Sequence, residues 1–166
     1  MRKVWIVGTS PDHIRALRRF MLDAWKQAGP GALGWTGATS ETIHEISSEK
    51  HLEQLVSNPK MKFFLAEEDG EITGFAVNRV QDDSTVELAG IIVRKDLLSK
   101  GIGSLLLSEC IRSARDAGFT SMVVKTETSN ERAINFYAKK GFVRAADTVE
   151  MVENSKLELA LLKLAL

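Results

Sequence analysis

The sequence is poor in several residue types, and each shortage excludes a class of protein. Its 166 residues include one cysteine, Cys110, which excludes an intramolecular disulfide and a zinc site built from cysteine clusters. Cys110 lies inside an apolar helical pattern, so we interpret it as a small core residue rather than a nucleophile. The three histidines, His13, His44 and His51, show no HExxH spacing. His44 and His51 fall on one face of a predicted helix and are interpreted as surface residues, so no metal site is predicted.

Neither sign of charge is in excess, because 22 Lys and Arg residues balance 22 Asp and Glu residues. Such a chain gives no sign of a nucleic-acid partner, and an anionic ligand has to be held by local features. No apolar run approaches the roughly 20 residues that cross a bilayer, and the start, MRKVWIVGTSPD, does not read as a signal peptide. The chain is therefore predicted to be cytoplasmic and without a membrane partner. Its length and its 44% hydrophobic residues predict one globular domain over residues 1–166.

The periodicity of the apolar residues predicts a mixed α/β sheet protein. Pro11 after Ser10 marks the start of the first helix, and Asp69-Gly70 is the strongest hairpin signal. In chain order we predict a strand at 3–7, a helix over 12–29, a helix from about Glu41 to Val56, two strands within 62–80, a strand at 85–93, a helix over 101–118, a strand at 121–128, a helix over 130–141 capped by Ser129 or Asn130, and a strand-like segment at 142–152.

The last segment, KLELALLKLAL, is ambiguous. Its content of Ala, Leu, Lys and Glu favours a helix, whereas the alternation of Leu157, Leu159 and Leu161 is typical of a strand. Composition alone leaves both assignments open.

The stretch LSKGIGSLLLSEC, residues 98–110, places two glycines at the start of a helix. Glycine costs roughly 0.5–1 kcal/mol in a helix relative to alanine, so Gly101 and Gly103 need a reason. Glycines at a helix N-terminus let a phosphate touch the backbone N–H groups, with Ser104 and Lys100 adding a hydroxyl and a charge. The alternative is a tight turn with close helix–sheet packing. The Walker pattern and the third glycine of GxGxxG are missing, so the stretch alone does not decide.

The glycine stretch and a later helix together resemble the GNAT superfamily of N-acetyltransferases. ELAGIIVRKDLLSKGIGSLLL is similar to that family's pyrophosphate-binding motif, in which Arg or Gln is followed by x-x-G-x-G/A. NERAINFYAKKGF resembles the family's Asn-x-x-Ala-x-x-Phe-Tyr-x-x-x-Gly-Phe helix, matched by Asn130, Ala133, Phe136, Tyr137, Gly141 and Phe142. The two motifs span residues 87–142, and the order of the flanking elements extends the match to nearly the whole chain.

The resemblance implies a GNAT fold: a single α/β domain with a mixed, mostly antiparallel sheet whose central strands splay apart between flanking helices. It makes the last segment a strand. It also implies that acetyl-CoA is the co-substrate, with its pantetheine arm between ELAGIIV and SMVVKTET and paired with the backbone of Ile91 and Val93. The residues implied for donor binding are Ile91, Ile92, Val93, Ser99, Lys100, Gly101, Ile102, Gly103, Ser104, Asn130, Ala133 and Tyr137.

One position departs from the family pattern. The family's Arg or Gln is Leu98 here, which leaves the backbone N–H groups in place but removes a polar side chain. Either some affinity is lost, or Lys95 and Lys100 compensate for it.

Acetyl transfer to an amine needs a neutral amine, a polarised carbonyl and a proton for the departing thiolate. The backbone N–H near Ile91 is the candidate for polarising the carbonyl. Tyr137, the sole tyrosine, lies near the sulfur in the family. A phenol is a weaker acid than a thiol, by roughly 2 kcal/mol for full proton transfer, so Tyr137 is predicted to stabilise the thiolate by hydrogen bonding as much as by protonation. The alternative is a core tyrosine that anchors its helix.

Glu87 opens the central strand where some family members carry a catalytic glutamate. A carboxylate beside a cleft can take the amine's proton directly or through water, whereas the alternative is a strand-edge glutamate in solvent. Glu127, on the next strand, is a weaker candidate for the same role. Trp35 lies in the region that lines the acceptor site in this family, and it either bounds that site or packs within a surface loop.

The predicted function is direct transfer of an acetyl group from acetyl-CoA to a primary amine of a small molecule, peptide or protein, without a metal. One alternative keeps the fold as a non-catalytic acyl-CoA-binding regulatory domain, and another is a plain nucleotide-binding domain. The sequence does not specify the acceptor or the oligomeric state, although the apolar last strand is compatible with a homodimer.

Overall fold

The computed structural model describes residues 1–28, 44–152 and 154–166. A short 3-10 helix, Lys95–Leu97, follows the fourth strand. The elements in chain order are β1 (Arg2–Ile6), α1 (Pro11–Ala28), α2 (Glu49–Ser57), β2 (Met61–Glu68), β3 (Glu71–Val80), β4 (Thr85–Val93), α3 (Ile102–Asp116), β5 (Ser121–Glu127), α4 (Glu131–Lys139), β6 (Val143–Val152) and β7 (Ser155–Ala165). Among the described residues the elements follow the predicted order, except in the second helix.

The second helix differs from its prediction. Residues 44–46 are helical, the chain turns at Ser47 and Ser48, and α2 begins only at Glu49. The Ser48 hydroxyl accepts a hydrogen bond from the His51 N–H at 3.3 Å, so it caps a new helix instead of continuing the preceding one. The continuous helix is therefore wrong, and with it the common helix face of His44 and His51. The predicted part before residue 44 lies outside the described residues.

The β2–β3 hairpin forms where the sequence predicts it. Asp69 and Gly70 both have positive φ, 54° and 86°, as in a type I′ turn, whose twist matches that of the two strands it joins. Gly70 adopts this conformation without steric cost.

The seven strands form one sheet in the order β1-β2-β3-β4-β5-β7-β6. Every neighbouring pair is antiparallel except β4 and β5, which run parallel. The chain's last segment, β7, lies between β5 and β6, with Ser121 opposite Ala165 and Glu127 opposite Leu159. The mixed, mostly antiparallel sheet and the strand assignment of the last segment are confirmed.

Two hydrophobic clusters cover the two faces of the sheet. We call the side covered by α3 and α4 the α3 face; its buried residues include Leu88, Leu106, Cys110, Met122, Tyr137 and Phe142. We call the other side the α1 face; α1 and α2 cover it with Ile14, Leu17, Phe20 and Leu52 over Phe63, Leu65, Phe75 and Val77. The core position predicted for Cys110 is confirmed. No helix among the described residues is long and apolar enough to span a membrane.

Close helix–sheet packing occurs at Gly74 of β3. A Cβ there would lie 2.9 Å from the Ile92 carbonyl oxygen and 2.9 Å from Leu106 Cδ1, shorter than non-bonded carbon contacts allow. The glycine that lets α3 approach the sheet is therefore in β3, not in the glycine stretch that begins α3.

Candidate active site

β4 and β5 pair along only part of their length. Their register runs from Thr85 opposite Ser121 to Leu88 opposite Val124, although both strands continue beyond these residues. Past this point β4 pairs only with β3, and β5 only with β7. The two strands therefore leave a gap with an open edge on each side, and the splay implied by the resemblance is confirmed.

A β-bulge in β4 marks the start of this gap. Val77 of β3 is opposite Gly90, but the next residue, Asn78, is opposite Leu88. Ala89 is therefore an extra residue on β4. A bulge bends its strand and increases the local twist, which turns the second half of β4 away from β5.

Gly101 and Gly103 are glycines for different reasons. Gly101 is the N-cap of α3 with φ 85°, a left-handed conformation that disfavours any side chain. Gly103 is not among the positive-φ residues. A Cβ there would lie 3.6 Å from Val93 Cγ2 and 3.7 Å from Phe136 Cζ, which are ordinary van der Waals distances. The protein's own packing thus requires glycine at 101 but not at 103, where a side chain would enter the space between β4 and α4.

The N-terminus of α3 offers backbone donors to that space. The first bond of its ladder runs from the Leu105 N–H to the Gly101 carbonyl at 3.0 Å, so the N–H groups of residues 102–104 have no acceptor within the helix. Gly101 provides no side-chain cap for them. Together with the positive end of the helix dipole, these donors suit a phosphate. These unpaired donors, beside a glycine that the protein's own packing does not require, fit the pyrophosphate of acetyl-CoA.

Two arginines hold the loop before α3, and the sequence analysis missed both. The Lys100 carbonyl accepts a hydrogen bond from Arg2 Nη1 at 2.6 Å, and the Ser99 hydroxyl accepts one from Arg132 Nη2 at 3.2 Å. Arg132 lies within NERAINFYAKKGF and could have been noted as a basic residue of that motif. Arg2 is 98 residues away from Lys100, and no local signal connects them. Leu98, at 38% exposure, brings no charge to the loop.

α4 begins beside the gap. Asn130 Oδ1 accepts a hydrogen bond from the Ala133 N–H at 3.1 Å, so Asn130 is the cap of the two predicted candidates. Ala133 is half-buried and packs against the α3-face cluster. In the fold, both residues form the start of α4. Their contact with acetyl-CoA stays a prediction.

Tyr137 is buried on the α3 face, with 5% of its surface exposed. Its ring lies 5.2 Å from that of Phe136 and 5.4 Å from that of Phe142, both edge-to-face, an arrangement that favours one ring orientation. Burial raises the pKa of the phenol above its usual value, and the nearby Cys110 adds to the effect. No described residue forms a hydrogen bond with the Tyr137 hydroxyl. Tyr137 is therefore a protonated phenol whose hydroxyl is available as a donor.

Glu87 is buried rather than solvated, so its interpretation as a strand-edge glutamate in solvent is wrong. Its side chain is 6% exposed. Oε2 accepts hydrogen bonds from Arg79 Nε at 3.0 Å, Arg79 Nη2 at 2.5 Å and Gln81 Nε2 at 2.6 Å. None of these three donors forms a hydrogen bond with Oε1. The carboxylate is thereby held in one orientation by a neighbouring cation and an amide.

The two candidate bases lie on the face opposite Tyr137. Glu87 is opposite Val123 in the parallel register, so the two share a face, and Glu127 shares it by alternation along β5. Leu88, the next residue of β4, belongs to the α3-face cluster, which places Glu87 and Glu127 on the α1 face. The phenol of Tyr137 and the two carboxylates therefore lie on opposite faces of the sheet.

The predicted donor-binding residues of β4 lie on both faces of the sheet. Ile91 and Val93 pack against the α3-face cluster, and Ile92 against the α1-face cluster. Lys95 is exposed on the 3-10 helix. Trp35 lies outside the described residues. Among the described part of the chain, no group of three or more His, Cys, Asp or Glu residues has an arrangement that could hold a metal ion.

The seven-stranded mixed sheet of this chain matches the fold of solved structures of the GNAT family, among them an acetyltransferase of Streptococcus pneumoniae with a TM-score of 0.72 and 23% identity over 99% of this chain and 100% of that one. The model of the Acetyltransferase (GNAT) family matches residues 22–142. The chain belongs to this family.

Individual relatives resemble the chain over part of its length. It is 31% identical over 97 residues to an uncharacterised N-acetyltransferase of Mycobacterium bovis, a match that covers 58% of this chain and 62% of that protein. It is 31% identical over 83 residues to a mycothiol acetyltransferase of Thermomonospora curvata, covering 50% of this chain and 28% of that protein. The fold resembles that of the PaiA N-acetyltransferase of Thermoplasma acidophilum in complex with coenzyme A, with a TM-score of 0.73 and 20% identity over 100% of this chain and 99% of that one.

Proposed function

We propose that this protein is an acetyl-CoA-dependent N-acetyltransferase that transfers the acetyl group directly to a primary amine. The observation that carries the proposal is the β4–β5 gap: the singly paired half of β4 lies next to the N-terminus of α3 at Val93 and Gly103, and Tyr137 and Glu87 lie on opposite faces of the sheet. Membership of the family supports it, as do relatives whose names describe N-acetyltransferases. We also propose that residues 1–166 act as one catalytic domain in the cytoplasm, without nucleic acid, membrane or metal.

The donor would be held mainly by backbone groups. The open edge of β4 at Ile91 and Val93 can pair with an extended amide-bearing arm, as a peptide adds to a sheet edge. The free N–H groups at the start of α3 would bind the pyrophosphate, and Lys100 and Arg132 would add positive charge beside it. When bound, acetyl-CoA supplies an acyl group activated as a thioester.

Tyr137 would act on the α3 face as a hydrogen-bond donor to the sulfur. The hydrogen bond from the Tyr137 hydroxyl to the sulfur becomes stronger as negative charge builds on the leaving group. It therefore stabilises the transition state more than the ground state. Because burial raises the phenol pKa, keeping the proton on oxygen is favoured. Hydrogen-bond stabilisation therefore fits Tyr137 better than complete proton transfer.

Glu87 would act on the α1 face as the base. An ammonium acceptor must lose a proton before its nitrogen can attack, and Glu87 can take that proton directly or through water. Arg79 and Gln81 orient the carboxylate from one side. The backbone N–H near Ile91 would polarise the acetyl carbonyl in the gap between the two faces.

The test is a screen of acceptor amines with acetyl-CoA, read by mass spectrometry of acetylated products and by release of free thiol. Cys110 is fully buried, so the protein itself contributes little to a thiol assay. We expect one class of amine to be acetylated with a matching release of CoA, and Tyr137→Phe to slow it. CoA binding without transfer to any amine would indicate the non-catalytic acyl-CoA-binding alternative instead.

A further inference from the structure

The first residue of β1 contacts the loop that precedes α3. Arg2 uses two sides of its guanidinium: Nε donates to Glu68 Oε1 of β2 at 2.9 Å, and Nη1 donates to the Lys100 carbonyl at 2.6 Å. Glu68 thereby orients the planar group, because a guanidinium presents its donors in a rigid fork. Arg2 is thus an oriented donor to one particular backbone carbonyl.

That carbonyl belongs to the peptide that leads into α3. In a trans peptide the C=O and the following N–H point in opposite directions. Holding the Lys100 oxygen towards Arg2 therefore turns the Gly101 N–H away from Arg2. The same peptide leads directly into Gly101, the N-cap residue with a left-handed conformation of φ 85° and ψ 0°. The orientation of this peptide therefore affects the direction in which the free N–H groups of the first turn point.

The charge of Arg2 also lies near the loop. Arg2 Nη1 is 3.9 Å from the position of a Cβ on Gly101. On the other side, Arg132 holds Ser99, which has the unusual φ of 66° for a residue other than glycine. The loop is therefore anchored from β1 and from α4, while Leu98 within it contributes no polar group.

We propose that Arg2 is a positioning residue for the phosphate end of the donor. It holds the Lys100–Gly101 peptide so that the α3 N-terminus is formed before the donor arrives, and it takes no part in acetyl transfer. This inference rests on the proposed function, because it assumes that the α3 N-terminus binds the phosphates of acetyl-CoA. Arg2 thus affects affinity for the phosphate-bearing part of the donor and not the chemistry in the gap.

The experiment compares Arg2→Ala and Arg2→Lys with a matched control, Lys3→Ala. Lys3 is the next residue of β1 and also pairs with a glutamate of β2, Glu67, at 2.9 Å. CoA affinity is measured by calorimetric titration without acceptor. We expect Arg2→Ala to weaken CoA binding about tenfold, the loss typical of one hydrogen bond from a charged group, Arg2→Lys to weaken it less, and Lys3→Ala to leave it unchanged.

A donor without phosphates separates positioning from a general loss of structure. S-acetylpantetheine lacks the pyrophosphate, so its rate of acetyl transfer in Arg2→Ala should equal that of the wild type. Equal CoA affinity in Arg2→Ala and wild type would overturn the role of Arg2 alone, as would an equal loss with both donors. A wild-type protein that does not bind CoA would overturn the proposed function, and this inference with it.

Discussion

The two halves of β4 differ in what each contributes to the candidate site. Val86–Leu88 pairs with strands on both edges, whereas Gly90–Val93 pairs only with β3. The first half is largely buried and holds the Glu87 side chain against Arg79; the second is half-buried at most positions and has an open backbone edge. A doubly paired strand orients a side chain, and a singly paired one offers its backbone to a ligand. One strand thus provides both kinds of group, with the bulge at Ala89 as the boundary.

The largest effect is expected from removing the negative charge of Glu87, which lies in the doubly paired half of β4. Glu87→Gln should lower the rate by about 10²–10⁴ near neutral pH with a lysine-like acceptor, the range of general base catalysis. Such an amine has a pKa of about 10.4, so raising the pH deprotonates more of it and should partly restore the activity of the variant. The pH–rate profile measures this, with Glu127→Gln as the control expected to change little. A loss below about tenfold would remove Glu87 as the base and favour a water chain.

Tyr137→Phe tests the opposite face of the gap. We expect kcat to fall about a hundredfold, at the low end of proton-donor assistance, while the affinity for acetyl-CoA stays nearly constant. The hydroxyl acts only as charge develops on sulfur, so its loss should not affect ground-state binding. Steady-state kinetics together with calorimetric titration separates the two quantities. An unchanged kcat would leave the ring with a packing role only.

Deleting Ala89 should remove the difference in strand pairing between the two halves of β4. Without the extra residue, Gly90 and Leu88 would be opposite Val77 and Asn78 in an uninterrupted ladder, and β4 would lose the bend that opens the gap. Losing two backbone hydrogen bonds to the donor, at about 1 kcal/mol each, would weaken CoA binding roughly thirtyfold. Calorimetric titration of the folded deletion variant measures this. Wild-type affinity would show that the bulge does not create the donor site.

Two glycines beside the open half should respond in opposite ways. Gly103→Asp should weaken CoA binding about tenfold, or roughly 1.4 kcal/mol, because its carboxylate would face the phosphates, yet an acid at a helix N-terminus stabilises the fold. Gly74→Ala should instead destabilise the fold by about 1–3 kcal/mol through overpacking and leave the affinity of the folded protein unchanged. Denaturant unfolding and CoA titration of both variants measure the two effects. Equal CoA affinity in Gly103→Asp and wild type would move the phosphate site elsewhere.

The smallest effect concerns alkaline stability. Burial raises the pKa of Tyr137 in the folded state, so above the unfolded value of about 10 the folded protein binds more protons than the unfolded chain. Stability is therefore complete below that pH and falls as the pH rises through the folded pKa. Tyr137→Phe should make this fall less steep. Tyr137 is the sole tyrosine, so tyrosinate absorbance reports it directly, and ionisation at the usual pKa would contradict the burial effect.

Local patterns were enough to predict most elements of this fold. The Asp69-Gly70 turn, the Ser10-Pro11 helix start and the cap at Ser129 or Asn130 act through residues adjacent in the chain, so their conformations follow from local sterics and hydrogen bonds. The resemblance of the two motifs added the donor, the splay and the last strand. The prediction of one continuous second helix was wrong at Ser48, because a serine can either continue a helix or cap a new one and the sequence does not show which.

The local choices follow from the sequence alone: where strands and helices form, and that two glycines lie at the start of α3. The remaining features are visible only in the folded chain: which glycine adopts the left-handed turn and which one the packing does not require, that Ala89 bulges, that Glu87 is buried against Arg79, and that Arg2 reaches the Lys100 carbonyl. Each of these depends on atoms brought together from distant parts of the chain, between neighbouring strands or between a strand and a helix. Contacts of that kind leave no periodicity in the sequence, because they are set by register and packing rather than by local conformational preference.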